Sequence, residues 1–450
     1  MEIKTVKYVL MWNLFLANKL CIGQSKLDSI TNDRFSIHAQ TTIINQFKPS
    51  FKANYTGANS LIPGQESKTS ITSTFFMGAR LWKGASVFIN PEIAGGSGLS
   101  EALGIAAATN GETFRIGDPA PQIYLARLFY KQVFALTDKT KPRETQFFHN
   151  HSDFNQIANI EPVKYFSITV GKIGAADYFD DNKFNHDPRT QFMSWALMDN
   201  GAWDYPANTR GYTPSIVLEY VSPKHELRYG FSLVPLSANG SEMNWDFSKA
   251  SSQTIEYTHR HKMKNQKGAI RLLGFYTTAN MGNYRQSIAL NPVNPIIEDT
   301  RKYGNTKFGF GINAEQNITK ELGCFFRASW NDGKNETWAF TEIDHSISAG
   351  LSLTGERWKR ENDNVGIAYV SSGISKPHRD YLKAGGKGFM LGDGNLNYSL
   401  EHLTELYYSA ELVKNQIYLT GAYQFLVNPG YNLDRQGPVN IFSVRLHARI

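Results

Sequence analysis

The last segment of the chain, residues 439–450, reads VNIFSVRLHARI and decides the fold. Its side chains alternate between two sets. The apolar set is Phe442, Val444, Leu446, Ala448 and Ile450, and the polar set is Ser443, Arg445, His447 and Arg449. Because successive side chains of a β-strand point to opposite faces of the sheet, this period of two predicts a strand with one apolar and one polar face.

Similar alternation recurs along the chain in segments of about ten residues, which is the pattern of a transmembrane β-barrel. In residues 226–234, for example, Leu227, Tyr229 and Phe231 alternate around Arg228. The number of candidate strands is even, as single-chain bacterial barrels require. The sixteen candidates lie near 35–44, 71–81, 85–93, 123–133, 165–173, 212–220, 226–234, 253–261, 268–276, 307–316, 323–330, 344–353, 363–370, 402–411, 416–425 and 439–450.

Two segments predict the facing of individual side chains. In residues 123–133, one face carries Tyr124, Ala126, Leu128 and Tyr130, and the other carries Arg127 and Lys131. We expect Leu128 to face lipid and Arg127 to face water. In residues 307–316, we expect Phe310 to face lipid and Asn313 to face water.

Composition excludes several classes of protein. Aromatic residues make up 13% of the chain, charged residues only 19%, and the mean hydropathy is −0.38. The mean hydropathy, together with the absence of a long apolar run after the N-terminus, excludes a polytopic helical membrane protein. A water-soluble sandwich would carry many charges on its outer face, whereas here charges are scattered singly along the polar face. The net charge of +7 is also scattered, so we expect no nucleic-acid partner.

The N-terminus, residues 1–23, has the pattern of a secretory signal peptide. Lys4 and Lys7 form a basic region, a short apolar core follows, and Cys21 and Gly23 place small residues before a cut at Gln24. A lipoprotein cut at Cys21 is the alternative. We therefore expect one mature domain, residues 24–450.

Connections between the predicted strands alternate between long and short, as expected when both termini lie on the periplasmic side. Residues 134–164 break this rule, because a short turn is expected there. Either this turn carries an insertion or it contains structure that the alternation misses. Residues 174–211 form the third long connection.

The connection 174–211 is too long and too polar for a simple turn, and such loops are usually functional. It combines carboxylates, bases and large rings, which suits a polyhydroxylated ligand whose hydroxyls bond to polar groups while its C–H faces stack on rings. The candidate binding or constriction residues in it are Asp177, Asp180, Asp181, Asp187, Arg189, Trp195, Trp203, Tyr205 and Arg210. The rings have an equally plausible role in packing the loop against the wall.

Charged side chains also occupy inward strand positions. The bases are Arg80, Arg127, Lys131, Arg228, Arg271, Arg327, Arg445 and Arg449, and the acids are Glu92, Glu219, Glu256, Glu315 and Glu405. Taken one at a time, each of these side chains is more often an ordinary part of the channel wall than a residue that determines selectivity. Arg127 and Lys131 are the best candidates, since they lie one strand from the loop.

Catalytic and metal sites fit the sequence poorly. A glycosidase needs two carboxyls at a defined separation, and the adjacent Asp180 and Asp181 cannot easily face one ligand. His186 beside Asp187 lacks a second cluster at ligand spacing, and a calcium ion on the acidic loop would have only scattered carboxylates and carbonyl groups as ligands. We expect no catalytic residue, no resident metal and no cofactor.

Long stretches of the chain resemble the carbohydrate-selective outer-membrane porin family. The strongest is DYFDDNKFNHDPRTQFMSWALMDNGAWDYPANTRGYT at 177–213. Others are GLSEALG…NGETFRIG (98–117), WNDGKNETWAFTEIDHSISAGL (330–351), HRDYLKAGGKGFMLGDG (378–394) and NPGYNLDRQGPVNIFSVRLHARI (428–450). The match runs from about Ser86 to Ile450 and is weak over 24–70. Two departures are Gln436, which interrupts a usual Asp-Arg-Gly-Pro-Val run, and Ile450, where an aromatic residue is usual.

The resemblance implies a diffusion channel for small sugars, monosaccharides such as glucose, in a Gram-negative outer membrane. We expect an all-β, sixteen-stranded antiparallel transmembrane barrel. In large porins the third outer loop folds inward and narrows the barrel, and we expect 174–211 to do so. Expected partners are sugars, outer-membrane lipid, lipopolysaccharide and the barrel-assembly machinery through the C-terminal strand, while monomer or homotrimer stays open. The alternatives are a general or ion-selective porin and a surface carbohydrate-active enzyme.

Overall fold

The computed structural model describes residues 34–113, 121–142 and 145–450. Within these ranges, sixteen antiparallel strands close into one barrel, and the first strand pairs with the last in register Ile43↔Leu446. Among the described residues, none of the helices is long and apolar enough to span a bilayer. The signal peptide predicted over 1–23 lies outside the described residues.

The barrel strands follow the chain around the wall, each paired with its neighbour. They are β1 (Phe35–Lys48), β2 (Glu66–Trp82), β3 (Ala85–Gly96), β4 (Gln122–Ala135), β7 (Tyr165–Ile173), β8 (Thr213–Val221), β9 (His225–Ser232), β10 (Ser251–Met263), β11 (Gln266–Met281), β12 (Lys302–Asn317), β13 (Leu322–Asn331), β14 (His345–Gly355), β15 (Arg360–Gly373), β16 (Glu401–Val413), β17 (Ile417–Val427) and β18 (Val439–Arg449). A separate hairpin comprises β5 (Phe147–Asn150) and β6 (Asn159–Pro162).

Short helices lie in the connections. The α-helices are α1 (Trp195–Met198), α2 (Tyr284–Leu290) and α3 (Lys376–Lys383). The 3-10 turns are Leu99–Ala102, Ala175–Asp177, Ile297–Thr300, Glu356–Trp358, Pro429–Tyr431 and Leu433–Arg435. Asn283 caps α2 and Ser375 caps α3, because each side chain accepts a hydrogen bond from a backbone N–H of the first turn.

All sixteen predicted strands are confirmed, and the barrel is the predicted fold. The observed strands extend beyond several predicted segments, most clearly at β2, which begins at Glu66, and β12, which begins at Lys302. These extensions carry polar side chains that do not alternate with apolar ones. The backbone ladder continues there without an apolar face, so the alternation alone underestimates strand length.

The facing of most side chains is also confirmed. Leu128 and Phe310 lie on the outer surface and are 43% and 57% exposed, whereas Arg127 and Asn313 are buried on the inner face. A broad band of exposed Leu, Ile and Phe covers the outside of the strands. Such a large apolar surface is stable only against an apolar solvent, as expected for a lipid-facing wall.

The predicted facing of Tyr124 and Ala126 is wrong. A β-bulge lies between β3 and β4, because Asn90 pairs with Arg127 while the next residue, Pro91, pairs with Leu125. Ala126 is therefore the extra residue, and it is buried. The extra residue moves Tyr124 to the inner face. Pro91 cannot donate a ladder hydrogen bond, which is why proline is found at such bulges.

The irregular connection 134–164 contains the hairpin β5–β6, with Phe147 paired to Pro162 and Asn150 to Asn159. The chain therefore carries an insertion in this turn, and the insertion has secondary structure of its own. Among the described connections, only this element breaks the alternation of long and short connections.

Three outer connections pack on one another around a buried histidine. His378 of α3 bonds through Nδ1 to Asp344 Oδ2 at 3.0 Å, and the Tyr284 ring of α2 stacks on it at 4.3 Å between centroids. Burial would raise the pKa of Asp344, but the charge and hydrogen bond of His378 outweigh it and lower the pKa to about 2. The connections that follow β11, β13 and β15 thus form a packed cap at the outer end of the barrel.

We expect Phe310→Arg to destabilise the barrel by about 2–4 kcal/mol, since an arginine at the lipid midplane loses its hydration. Phe310→Leu, which keeps an apolar side chain at the same position, should change the free energy of unfolding far less. Urea unfolding in lipid vesicles measures both variants. Equal stability of the two would place Phe310 away from the lipid.

Candidate functional site

A cavity of about 640 Å³ lies on one side of the barrel interior. Its strand residues come from the inner faces of β1, β2, β3, β4, β7, β8 and β9, which we call the cavity wall. Its remaining residues come from the second and third outer connections and from the insertion between β4 and β7. The cavity therefore extends from outer-loop residues such as Thr209 to Phe154 of the turn at the other end of the strands.

The loop 174–211 is bound to the opposite wall, formed by β10–β18. The central contact is Arg327 of β13, which is buried. Its guanidinium donates to the carbonyl oxygens of Asp180 (3.0 Å), Asn185 (2.8 Å) and Leu197 (2.8 Å). Arg327 Nε also donates to Asp180 Oδ1 at 3.2 Å. One guanidinium fork thus fixes three separate points of the loop.

Asp180 completes this contact from the loop side. Its side chain is fully buried and accepts hydrogen bonds from Asn200 Nδ2 (2.9 Å) and from Asn313 Nδ2 of β12 (2.6 Å). Its backbone N–H donates to Glu256 Oε2 of β10 at 2.7 Å. Asp180 also has a positive φ of 59°, a conformation that these several bonds hold in place.

The middle of the loop is bound by two further wall side chains of opposite charge. Glu405 of β16 accepts from the backbone N–H groups of Met193 (2.7 Å) and Ser194 (3.1 Å). Arg445 of β18 donates to the carbonyl oxygens of Pro188 and Gln191, each at 2.7 Å. Backbone groups that would be unpaired in a loop are satisfied by wall charges, so the loop and this wall depend on each other.

The second outer connection adds a layer against the same region. Glu401 of β16 accepts from the N–H groups of Ala106 (3.0 Å) and Ala107 (2.7 Å). Trp195 N–H donates to Ala108 O at 3.0 Å, which pairs this segment with the third loop. These bonds join the two connections to each other and to the opposite wall.

Across the open space, Arg127 of β4 and Asp177 form a two-point ion pair. The Nε–Oδ2 and Nη2–Oδ1 distances are both 2.6 Å, and the guanidinium lies 4.9 Å from the centre of the Tyr212 ring. Burial would raise the pKa of Asp177, but the charge and hydrogen bonds of Arg127 outweigh it and hold the pKa below its ordinary value. The pair is therefore charged on both sides at neutral pH.

A second group of charges lies deeper in the cavity. Lys131 Nζ is 3.0 Å from Glu219 Oε2 and 5.7 Å from the centre of the Tyr178 ring. Arg228 of β9 contacts the same Glu219 at 3.2 Å and Glu226 at 2.7 Å. These side chains form a continuous network on the cavity wall, in which each positive charge has a carboxylate neighbour.

Arg189 of the loop is the third positive group. Its Nε lies 2.8 Å from Glu112 Oε2, and its Nη2 lies 3.6 Å from Glu92 Oε2. Glu92 also accepts hydrogen bonds from the hydroxyls of Tyr124 and Tyr212. This cluster joins the second connection, the third loop and β3 across the upper part of the cavity.

Arg210 stands at the rim and lies over the Tyr124 ring, 4.0 Å from its centre. Its Nη2 donates to Gln122 Oε1 at 2.5 Å. The face of Tyr124 is available for this contact because the bulge at Ala126 turns the ring inward. A guanidinium on a tyrosine ring is a polar, flat surface that suits contact with a hydroxylated ring.

His186 also borders the cavity, with its Nδ1 3.5 Å from Asp199 Oδ1. Burial would lower the pKa of His186, but the hydrogen bond and charge of Asp199 outweigh it and raise the pKa to about 9. Burial raises the pKa of the neighbouring Asp199 carboxyl above its ordinary value.

Nine of the eleven residues proposed from the sequence line the cavity. They are Arg127, Lys131, Asp177, Asp181, Asp187, Arg189, Trp195, Tyr205 and Arg210. Asp180 and Trp203 lie elsewhere. Asp180 belongs to the contact with Arg327, and Trp203 is 1% exposed and packs edge-on against Phe179 and beside Tyr205. For Trp203, the packing interpretation describes the structure and the stacking-surface interpretation does not.

Sequence reasoning did not select several lining residues. Glu92, Glu219 and Arg228 were placed inward by the alternation, but nothing in their own segments related them to the loop. Tyr124 was placed outward, and only Pro91 on the adjacent strand indicated the bulge. Residues from other connections, such as Glu112, Phe154 and Asn155, had no local signal, because their positions depend on tertiary packing.

The cavity is nearly balanced in charge, with five Lys or Arg and six Asp or Glu side chains in its lining. These charges are joined in pairs and networks and are interleaved with tyrosine rings. Such a surface offers many hydrogen-bond donors and acceptors without a strong net field. It can contact a neutral, hydroxylated solute through weak bonds.

Comparison with known proteins agrees with this geometry. A model of the carbohydrate-selective porin, OprB family, matches residues 59–449. The high-pH structure of Pseudomonas putida OprB superposes with a TM-score of 0.68 at 15% identity, covering 94% of this chain and 96% of that chain. The low-pH structure of Pseudomonas putida OprB gives a TM-score of 0.50 at 11% identity, covering 94% and 95%.

These identities are low, so the structural similarity shows the fold alone. No curated protein sequence matches the chain significantly. The family match begins at residue 59, earlier than the resemblance read from the motifs, and continues almost to the C-terminus. Because the match covers most of the chain, the protein belongs to the carbohydrate-selective porin family, OprB, and is a sugar channel of the Gram-negative outer membrane rather than an enzyme.

Proposed function

We propose that this porin passes monosaccharides such as glucose down their gradient, and that the loop 174–211 sets the selectivity by folding into the lumen. One observation carries the proposal. Inner-face side chains of the opposite wall, above all Arg327, Glu405 and Arg445, bond to the loop's backbone. Five charged side chains of the loop then lie along the cavity, namely Asp177, Asp181, Asp187, Arg189 and Arg210.

The paired charges favour a neutral solute over an ion. A sugar that leaves bulk water must exchange its hydrogen bonds for equivalents on the channel surface, or its entry is unfavourable. Arg127 with Asp177, and Arg189 with Glu112, each present donors and acceptors side by side. Because each group is already bonded to its partner, a sugar is held weakly and can leave, as conduction requires.

Liposome swelling with a panel of neutral sugars of increasing size tests this function. We expect the fastest swelling with monosaccharides and a sharp fall for larger oligosaccharides. Single-channel recording in simple salts should show low ion conductance for a barrel of sixteen strands. Equal passage of sugars and of ions of similar size would instead support the alternative, a general or ion-selective porin.

The double variant Asp181→Asn/Arg189→Gln should reduce the preference for sugars over ions without unfolding the barrel. Loss of Arg189 leaves Glu92 and Glu112 without their cation, and loss of the Asp181 charge removes the partner 3.5 Å from Arg271. Unpaired carboxylates attract cations, so we expect cation conductance to rise relative to sugar flux.

The matched control removes an ion pair of the same kind outside the cavity, namely Asp138→Asn/Lys141→Gln, whose two side chains are exposed. This control should leave both sugar flux and ion selectivity as in the parent protein. If the cavity variant also behaves like the parent in reversal-potential and swelling measurements, selectivity resides elsewhere in the lumen.

The remaining partners are proposals that follow from the family. The exposed apolar band contacts outer-membrane lipid and, in the outer leaflet, lipopolysaccharide. We propose that the assembly machinery recognises β18, the strand that closes the barrel against β1.

A further inference from the structure

Three phenylalanines lie on the inner face of the barrel, where a water-filled lumen would expose them. They are Phe76 of β2, Phe88 of β3 and Phe129 of β4, on three adjacent strands, and they are only 4–5% exposed. An apolar patch of this kind is unfavourable against water. Something must cover it.

The cover comes from the insertion between β4 and β7, specifically from residues 152–158, which we call the inner-mouth segment. Phe154 stacks on Phe76 with 4.3 Å between ring centroids and 17° between planes. Ile157 is buried in the same apolar cluster as Phe88 and Phe129. The segment therefore packs against the inside of the wall rather than extending away from the barrel.

Polar contacts hold the inner-mouth segment on strands distant from its own origin. Ser152 Oγ lies 2.8 Å from His38 Nε2 of β1, and Arg80 Nη2 of β2 donates to Ala158 O at 2.7 Å. Arg449 of β18 bonds to Asp153 Oδ1 at 2.7 Å and lies over the Phe154 ring at 4.6 Å. The chain leaves from β4, crosses to β18, β1 and β2, and returns to β7.

These contacts lie at the end of the barrel where β1 begins and β18 ends, which is the end with the short turns and is periplasmic in outer-membrane barrels. His38 lies near the start of β1 and Arg449 at the end of β18. Phe154 and Asn155 line the same cavity that reaches the third outer loop at its other end. The cavity is thus bounded by loop 174–211 from one side of the membrane and by the inner-mouth segment from the other.

We propose that the inner-mouth segment is a second constriction, placed in series with the outer one, and that Phe154 and Asn155 are size-determining residues for sugar transport. This inference rests on the channel function of the family and adds a determinant on the periplasmic side. Two constrictions in series limit flux together, so the narrower one decides which solutes pass. Widening the periplasmic one should therefore affect large solutes more than small ones.

The double variant Phe154→Ala/Asn155→Gly tests the proposal. Asn155 has a positive φ of 53°, which glycine adopts without strain, so the change removes side chains while the backbone can keep its course. We expect single-channel conductance to rise by a factor on the order of two, and swelling with disaccharides to increase relative to monosaccharides. Unchanged conductance and unchanged size ranking would overturn the proposal.

The control is Phe148→Ala, in β5 of the same insertion. Phe148 is 46% exposed and is not among the residues that line the cavity. It removes the same aromatic side chain from the same connection, so it should leave conductance and size ranking unaltered. A rise in this control as large as in the double variant would show a general loosening of the insertion and would also overturn the proposal.

A second experiment does not depend on removing packing. In a background of Cys21→Ser/Cys324→Ala, which lacks both native cysteines, Asn155→Cys places a single thiol at the constriction and Phe148→Cys places one outside it. A bulky thiol reagent should reduce the conductance of the first protein and not of the second. Full labelling of Asn155→Cys without loss of current would refute a constriction there. Suppose the parent protein shows no preference for monosaccharides, but the thiol reagent still reduces the conductance of Asn155→Cys. That result would contradict the proposed sugar preference and would leave the periplasmic constriction in place.

Discussion

Deleting residues 184–195 will raise single-channel conductance several-fold and admit oligosaccharides that the parent excludes. This segment contains the bonds to Glu405 and Arg445 and carries Asp187, Arg189 and Trp195 along the cavity. Its removal opens the space between the cavity wall and the opposite wall. The barrel itself should remain folded, because its strand ladder does not include the loop and the released wall charges become hydrated in the wider lumen.

The control keeps the length and the backbone of the loop and removes its side chains. Replacing 184–195 by a Gly/Ser segment of equal length leaves the backbone groups that Glu405 and Arg445 bind, but it removes the side chains of Asp187, Arg189 and Trp195 from the cavity. We expect this protein to show noisy, partly closing currents rather than the steady large conductance of the deletion. A deletion protein with the conductance and sugar ranking of the parent would identify the loop as an outer lid and place selectivity on the arginine-bearing strands.

The inner-mouth segment sets an upper bound on this effect. If it is a constriction in series, deleting the outer loop lowers only one of the two resistances in the channel. Combining the deletion with Phe154→Ala/Asn155→Gly should then raise conductance more than either change does separately. This comparison uses the same recordings and separates the contributions of the two ends of the channel.

Arg327→Ala will have the second large effect, on the order of 3–5 kcal/mol in the stability of the loop's attachment. The change removes four hydrogen bonds at once and leaves the carboxylate of Asp180 buried without its cation. Removing one partner of a buried ion pair is costly because the remaining charge has neither water nor a counter-ion. We expect frequent opening and closing events in single-channel traces, because the loop detaches while the barrel persists.

Arg327→Lys is the matched control, since it keeps the positive charge but cannot reproduce the planar fork that reaches three carbonyl groups. Its traces should be intermediate between those of the parent and of Arg327→Ala. If Arg327→Ala gives traces as quiet as those of the parent, the loop is held by its other contacts, such as Glu405 and Arg445. Protease sensitivity of the loop in intact outer membranes provides an independent measurement.

The loop shows how far neighbouring residues can differ in role. Asp180 and Asp181 are adjacent in sequence and alike in chemistry. Asp180 is buried between Arg327 and Asn313, whereas the side chain of Asp181 is 55% exposed and lines the cavity. Sequence reasoning could state that two adjacent carboxylates do not readily face one ligand. It could not state which one faces the solute, because that depends on the wall against which the loop packs.

The strand β4 shows the corresponding limit for the barrel. The alternation predicts the correct face for Arg127, Leu128 and Lys131, because the strand is regular over these residues. It gave Tyr124 the wrong face, because one additional residue at Ala126 shifts all positions beyond it. The cause is the pairing with Pro91 on the neighbouring strand, and periodicity within one segment does not detect a partner.

The sequence by itself determined the sixteen strands, the lipid and lumen faces of most of them, and the position of the long polar loop. These features are local, since a period of two follows from the geometry of a single strand in contact with lipid on one side and water on the other. Only the tertiary structure decided which carboxylates pair with Arg127 and Arg189, and that Phe154 covers an apolar patch inside the wall. These contacts join residues that are distant in the chain, and their free energy depends on burial and on partners that no single segment contains.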